Sequence, residues 1–436
     1  MHRSTFHLVT HISLALALTI ATLSACGNDE APSMPEPEEV RSNKERVTSP
    51  QIMEDDFSQQ IAGNSAFAFD LYAQLRTEEG NIFYSPHSIS MALAMLHAGA
   101  RGTTETQIAE TLHFVLPQAQ LHPAFNKLDL ELESRGEGAK AADGQPFRLN
   151  VVNALWGQRD YTFLPDYLDT LALNYAAGLR VMDFSIDPEG SRQVINAWVE
   201  EQTEDRIKEL LAEGVISSMT RLVLTNAIYF NAAWATPFEA SNTTNGTFTL
   251  VDGSEKTVPL MHGMMSGRHA RVGKLQVVEL PYDGEELSMV VLLPDAGAFN
   301  EVEATLTATG LKEALAAAQE SGITLTLPKF ETESAFGLKE TLEELGMVHA
   351  FSPGQADLSG LDGSRNLFVS AVVHKAFVKV NEEGTEAAAA TAVVVDERTS
   401  ISTPMTVSVD RPFVFLIQDH ATGAILFVGR VLDPTS

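Results

Sequence analysis

Apolar residues recur at helical spacing between residues 57 and 75, at Phe57, Ile61, Phe67, Leu71 and Leu75, which predicts an amphipathic helix there. A second helix is predicted over residues 89–98, an apolar run introduced by Ser85-Pro86, a pair suited to a helix start. Later the pattern changes. Residues 221–230, 287–293, 323–328, 368–380 and 413–418 are rich in Val, Leu, Ile and Phe and read as strands. Turn residues such as Asp283-Gly284 separate several of them. Helices gather early and strands late, an order that predicts an α+β fold with large, mostly antiparallel sheets rather than a parallel βαβ repeat.

The first fifty residues follow another plan. Residues 12–23 are almost wholly apolar behind Arg3 and three histidines, too short a run for a stable membrane-spanning helix, and Leu23-Ser24-Ala25-Cys26 follows. This is the layout of a signal peptide, and its last four residues resemble a bacterial lipobox, implying cleavage before Cys26 and acylation of that cysteine. The alternative is an ordinary secretory signal with a chance cysteine, but a lone free thiol on an exported protein is a liability. Gly27 in place of aspartate implies, by the same resemblance, the outer membrane of a diderm host, with the domain in the periplasm or outside the cell. Residues 27–50 shift to Pro, Glu, Ser and Asn, with Pro32, Pro35, Pro37 and Pro50 and no aromatic residue, a composition that cannot build a core. The expected organisation is a signal peptide over 1–25, a lipidated cysteine and flexible tether over 26–52, and one domain over 53–436.

Charge and composition narrow the function. Lys and Arg total 29 against 58 Asp and Glu, a formal charge of -29 that repels phosphate backbones and favours cationic partners. Nucleic acid is not an expected partner, no basic run marks a heparin-like site, and contact with a membrane is expected only through the N-terminal lipid. Cys26 is the one cysteine, so no intramolecular disulfide forms. The twelve histidines show no paired spacing with carboxylates, and no metal or other cofactor is expected. The zinc-protease, nucleophile-elbow and P-loop signatures are missing from the chain. Ser85, His374 and Asp183 supply the residue types of a catalytic triad, yet only geometry makes a triad. Ser85 reads instead as a helix cap, and His374, between strand-like residues, as a hydrogen-bonded core histidine. A lipid-anchored hydrolase therefore lacks a catalytic constellation, and none is assigned.

One segment resists a single assignment. In Glu382-Glu383-Gly384-Thr385-Glu386-Ala387-Ala388-Ala389-Ala390-Thr391-Ala392-Val393-Val394-Val395 the alanines favour helix and the valines favour strand. One reading is a short surface helix running into an edge strand. The other is a strand that must slide into a crowded sheet, for which small side chains are required because packed interiors register a single extra methylene. Alternation then places Thr385, Ala387, Ala389, Thr391 and Val393 on one uncharged face and Glu386 on the other. Asp396-Glu397-Arg398-Thr399-Ser400 beyond it has the polar character of an exposed loop.

This segment resembles the hinge and reactive-centre loop of inhibitory serpins, and the resemblance extends over the whole domain. Asn81-Ile82-Phe83-Tyr84-Ser85-Pro86-His87-Ser88-Ile89, Asn153-Ala154-Leu155-Trp156, Thr225-Asn226-Ala227-Ile228-Tyr229-Phe230 with Trp234, Glu279-Leu280-Pro281-Tyr282, Leu327-Pro328-Lys329-Phe330, His374-Lys375-Ala376 and Arg411-Pro412-Phe413-Val414-Phe415 match the family's motifs in order. The resemblance implies a serpin fold of three β-sheets surrounded by about nine helices, with the exposed loop at about 382–404. It implies a hinge over Glu382 to Thr391 and a polar shutter of Ser85, Ser88, Asn226 and His374. Trp234 matches the breach at the top of the main sheet, and Lys329 with Glu382 a hinge salt bridge. Counting seventeen residues from Glu382 puts the scissile bond between Arg398 and Thr399.

The implied protein is a monomeric protease inhibitor, not an enzyme, that acts as a suicide substrate on a trypsin-like serine protease, or on a cysteine protease by cross-class inhibition. A loop register one residue shorter makes Glu397 the scissile residue. A non-inhibitory serpin, a carrier or chaperone, is the remaining alternative, though such members usually carry bulky or charged hinge residues, whereas Thr385 and Ala387 to Ala390 are of the permissive type.

Overall fold

A computed structural model describes residues 37–141, 144–145, 147–385 and 405–436. Along the chain come β1 (Glu38–Val40), α1 (Glu54–Leu75), β2 (Ile82–Tyr84), α2 (Pro86–His97), α3 (Gly102–Thr111), α4 (Gln118–Glu133) and β3 (Arg148–Gln158). There follow α5 (Pro165–Tyr175), β4 (Leu179–Met182), α6 (Pro188–Gln202), β5 (Leu222–Ala233), β6 (Thr244–Thr249), β7 (Glu255–Val272), β8 (Leu275–Pro281) and β9 (Leu287–Pro294). Then come β10 (Gln319–Pro328), β11 (Phe330–Gly337), β12 (Val369–Val380), β13 (Gly384–Thr385), β14 (Met405–Ser408), β15 (Phe413–Asp419) and β16 (Ile425–Val431), with short helices between β9 and β12.

The two predicted helices are α1 and α2. Glu54, Asp55 and Asp56 put negative charge in the first turn of α1, where the free backbone N–H groups lie. In α2 every residue is buried, the polar His87, Ser88, Ser90 and His97 included. Ser85 caps it as expected, its hydroxyl accepting from the Ser88 N–H at 3.1 Å, and Pro86 occupies the first turn, where no N–H is needed.

The strands form two hydrogen-bonded sheets. One has seven strands in the order β1-β4-β3-β5-β13-β12-β11; the other runs β14-β10-β7-β8-β9-β15-β16-β2, with β6 paired to β7. The three sheets the sequence led us to expect are joined here into two, because the long β7 pairs with β6 through Leu260, with β10 over Leu260 to His269, and with β8 from Arg268 onward. Most pairings are antiparallel. The seam that matters is parallel: β5 and β12 pair directly from Leu222 opposite Val369 to Ile228 opposite Ala376. Above that point they part, and β13 lies between them, with Gly384 and Thr385 opposite Ala233 and Ala232 and Thr385 opposite Val380.

The N-terminal boundary needs correction. Residues 26–52 were expected to be a free tether, but Glu38–Val40 pairs antiparallel with β4, from Glu38 opposite Val181 to Val40 opposite Leu179. The Val47 N–H then donates to the Leu173 carbonyl at 2.9 Å, and the Arg46 side chain reaches α4. A three-residue edge strand and a polar crossing carry no hydrophobic period, so composition alone reads them as linker. Residues 1–36 lie outside the described residues, and with them residues 1–25, expected as a signal peptide, and Cys26.

Candidate functional site

The site is the β5–β12 seam, with a polar network at its middle and the start of the hinge at its top. Asn153 on β3 lies opposite Asn226 on β5, and Asn226 lies opposite His374 on β12, so three neighbouring strands each contribute one polar side chain at the same level. Ser85 and Ser88 meet them from the start of α2. The Ser85 N–H donates to His374 Nε2 at 3.1 Å. That leaves Nε2 without a proton, so Nδ1–H is the donor to Asn226 Oδ1. Asn226 Nδ2 faces both Ser88 Oγ and Asn153 Oδ1, and Ser88 Oγ donates to Asn153 Oδ1 at 3.2 Å. Complete burial pushes His374 down to about 3, so the ring is neutral at ordinary pH. Its bonds cross the seam and must exchange when strands part.

At the top of the seam the geometry is equally specific. Trp234 is buried, stacks on Tyr282 with ring centroids 4.8 Å apart, and donates from Nε1 to the Asn381 carbonyl at 3.0 Å. The Tyr282 hydroxyl bonds Thr385 Oγ1 at 2.7 Å, and both residues are buried. Asn381 Oδ1 accepts from the N–H groups of Glu383 and Gly384, turning the chain from β12 back into the sheet. Glu382 pairs with Lys329 at 2.7 Å and accepts from the Thr243 hydroxyl at 2.7 Å. Burial pushes its carboxyl up, but the bonds from Lys329 and Thr243 outweigh that and hold it below the usual carboxylate range. The Glu382 side chain is only 8% exposed, against 37% for Lys329, so this pair is anchored more deeply than a surface ion pair.

Thus Ser85, Ser88, Asn226 and His374 are brought together as expected, and Trp234, Lys329, Glu382 and Thr385 meet around the seam's upper end. Glu383 and Gly384 form the turn. Glu386, Ala387, Ala388, Ala389, Ala390, Thr391, Arg398 and Thr399 lie outside the described residues. Sequence reasoning gave no role to Asn153, Tyr282, Thr243 and Asn381. Asn153 was findable as an amide set between the apolar Val152 and Ala154 of β3; the others are assembled by tertiary contact. The triad is absent: the Ser85 hydroxyl is engaged as a cap, and Asp183 binds Gln158 and Ser185 instead of His374.

A model of the family described as serpin (serine protease inhibitor) matches residues 62–434. The chain is a serpin. The human leukocyte elastase inhibitor is 40% identical over 384 residues, covering 86% of this chain and 99% of that one. A serpin-like protein of Thermococcus kodakarensis is 40% identical over 372 residues, 85% of this chain and 84% of its own. Among solved structures, that of the thermophilic serpin tengpin in its native state superposes with a TM-score of 0.79 at 28% identity, over 92% of this chain and all of that one. In this serpin the parted top of the β5–β12 seam is therefore part of the family's main sheet.

Proposed function

We propose that this serpin inhibits a serine protease as a suicide substrate. The observation that carries the reading is the position of Thr385: the hinge already enters the sheet between β5 and β12, and the next residues on its face, Ala387, Ala389 and Thr391, are small and uncharged. Cleavage of the loop frees this strand to continue down the seam. In the family's mechanism the protease, held as an acyl-enzyme, is carried along and its active site distorted. Losing one oxyanion donor costs the protease on the order of 3–4 kcal/mol of transition-state stabilisation. Around fifteen new backbone hydrogen bonds at roughly 1 kcal/mol net each exceed that before side-chain burial is counted.

Arg398 is the proposed scissile residue and a trypsin-like enzyme the proposed target, since such enzymes hold arginine by a buried carboxylate. The net charge of -29 favours a cationic protease. Mixing the protein with trypsin should give an SDS-resistant adduct and release residues 399–436; loop cleavage without adduct refutes the inhibitory reading. An adduct formed instead with a glutamate-preferring protease, with release of a peptide beginning at Arg398, moves the bait to Glu397. Anchoring through an acylated Cys26 is proposed from the lipobox and is tested by detergent-phase partitioning of wild type against Cys26→Ala.

A further inference from the structure

Away from the seam, a cleft of about 480 Å³ lies between the outer face of α3, the turn of residues 113–117 and His97, the last residue of α2. That size suits a small organic molecule. Glu105, Thr106, Ala109 and Glu110 share one face of α3 and form one wall. Val115, Leu116 and Pro117 form the other. Phe114 and His97 are its most deeply buried aromatic residues, with their rings edge to face and centroids 5.6 Å apart. Val115 is 62% exposed, so the cleft offers apolar surface to solvent.

The turn that shapes the cleft is held from several sides. His113 lies in the left-handed region at φ 54°, and its Nε2 meets Asp70 of α1 at 2.6 Å. Its carbonyl packs on Gly63 of α1, where a Cβ would stand 2.4 Å from the oxygen. The Phe114 N–H donates to the Ala109 carbonyl at 2.8 Å. Gln118 Nε2 donates both to the His97 carbonyl at 3.0 Å and to Glu105 Oε1 at 2.7 Å, joining α2, α3 and α4. The walls are therefore in place before a ligand arrives, which spares the cost of ordering them.

The chemistry of the cleft is one-sided. Among the described residues, neither Glu105 nor Glu110 has a basic partner, and the C-terminal ends of α2 and α3 add partial negative charge, opposed by the start of α4 alone. His97 is 3% exposed, and its Nδ1 has no hydrogen-bond partner. Burial, helped by the charge of Arg101, pushes the ring down to about 4, so it is neutral at ordinary pH and keeps one nitrogen as an acceptor. A buried acceptor without a donor is costly, and a ligand that brings N–H groups removes that cost.

We propose that this cleft binds a small organic cation, a primary amine on an apolar or aromatic body. The ammonium supplies the two carboxylates and the imidazole with the donors they lack, and the body covers Ala109, Val115 and Leu116. The same carboxylates repel an anion. The site stands apart from the reactive loop and from the inhibitory reading.

The test titrates the full chain with phenethylamine by calorimetry at neutral pH and physiological salt, beside the uncharged phenethyl alcohol and the anion phenylpropionate. The amine should saturate one site per chain in the millimolar range or below. It should bind at least about tenfold more weakly when Glu105→Gln is combined with Glu110→Gln, and also in Val115→Arg, which sets a positive charge at an exposed position. The alcohol should bind wild type at least about tenfold more weakly than the amine, and the anion more weakly still. Should the double variant fail to fold, Val115→Arg decides. Absence of saturable amine binding, unchanged affinity in the variants, or an alcohol or anion that binds as tightly as the amine overturns the proposal.

Discussion

The bond between Tyr282 and Thr385 offers a direct measure of how firmly the hinge is held in the sheet. Both side chains are buried, and burial pushes the Tyr282 hydroxyl well up, so it stays protonated and shares a hydrogen bond of 2.7 Å with Thr385 Oγ1. Tyr282→Phe strands the threonine hydroxyl in the seam, and Thr385→Val, nearly isosteric, strands the tyrosine hydroxyl. Each leaves one buried polar group without its partner, at a cost of about 1–3 kcal/mol to the docked state of β13. The double variant removes both groups and should recover at least about 1 kcal/mol of the summed loss, because neither is then left unsatisfied. Hydrogen exchange of a peptide covering residues 381–385, read by mass spectrometry under native conditions, reports this opening. Each single variant should exchange about 5- to 150-fold faster than wild type, and the double variant more slowly than the product of the two factors. Unchanged exchange in the single variants, or strictly multiplicative factors, would show that Thr385 does not hold the hinge.

Three further outcomes are expected. Lys329→Ala leaves Glu382 with the Thr243 hydroxyl in place of a cation and should cost about 1–2 kcal/mol, discounted for the exposure of Lys329, seen as a fall of about 1–3 °C in the thermal midpoint; an unchanged midpoint makes the pair incidental. Burial pushes His87 and His97 down to about 4 and His122 and His374 down to about 3. Unfolded histidines take up protons from about pH 6.5 downward while these stay neutral, so stability is full above that pH. It is lost at about 1.4 kcal/mol per pH unit for each as pH falls towards 4, and a urea midpoint flat from pH 7 to pH 4.5 contradicts their burial. Ala387→Arg should abolish the protease adduct while leaving loop cleavage intact, scored on a denaturing gel; undiminished adduct removes Ala387 from the inserted face. Ala387 is the cleaner position, because Thr385 is already buried and a charge there perturbs the resting state.

Much of the site was legible one residue at a time. The Ser85 cap and the hydrogen-bonded core His374 follow from residue type in a readable local context, while the Lys329–Glu382 pair was implied only by the family resemblance; the structure forms all three. What was not legible depends on partners far apart in the chain. Tyr282 bonds a residue 103 positions away, and Arg46 bonds Asn126 across 80 positions. Nor does composition distinguish residues 38–47 from a tether, since their attachment is through polar side chains and backbone rather than an apolar stripe.

The sequence alone marked two early helices and five later strands, because hydrophobic periodicity is a local property, and it marked the hinge, because small residues in a strand-like run have a meaning without neighbours. Tertiary structure decided how far that hinge has entered. The gap that admits Thr385 exists only where β5 and β12 diverge above Ile228 and Ala376, a long-range arrangement topped by the stacked Trp234 and Tyr282.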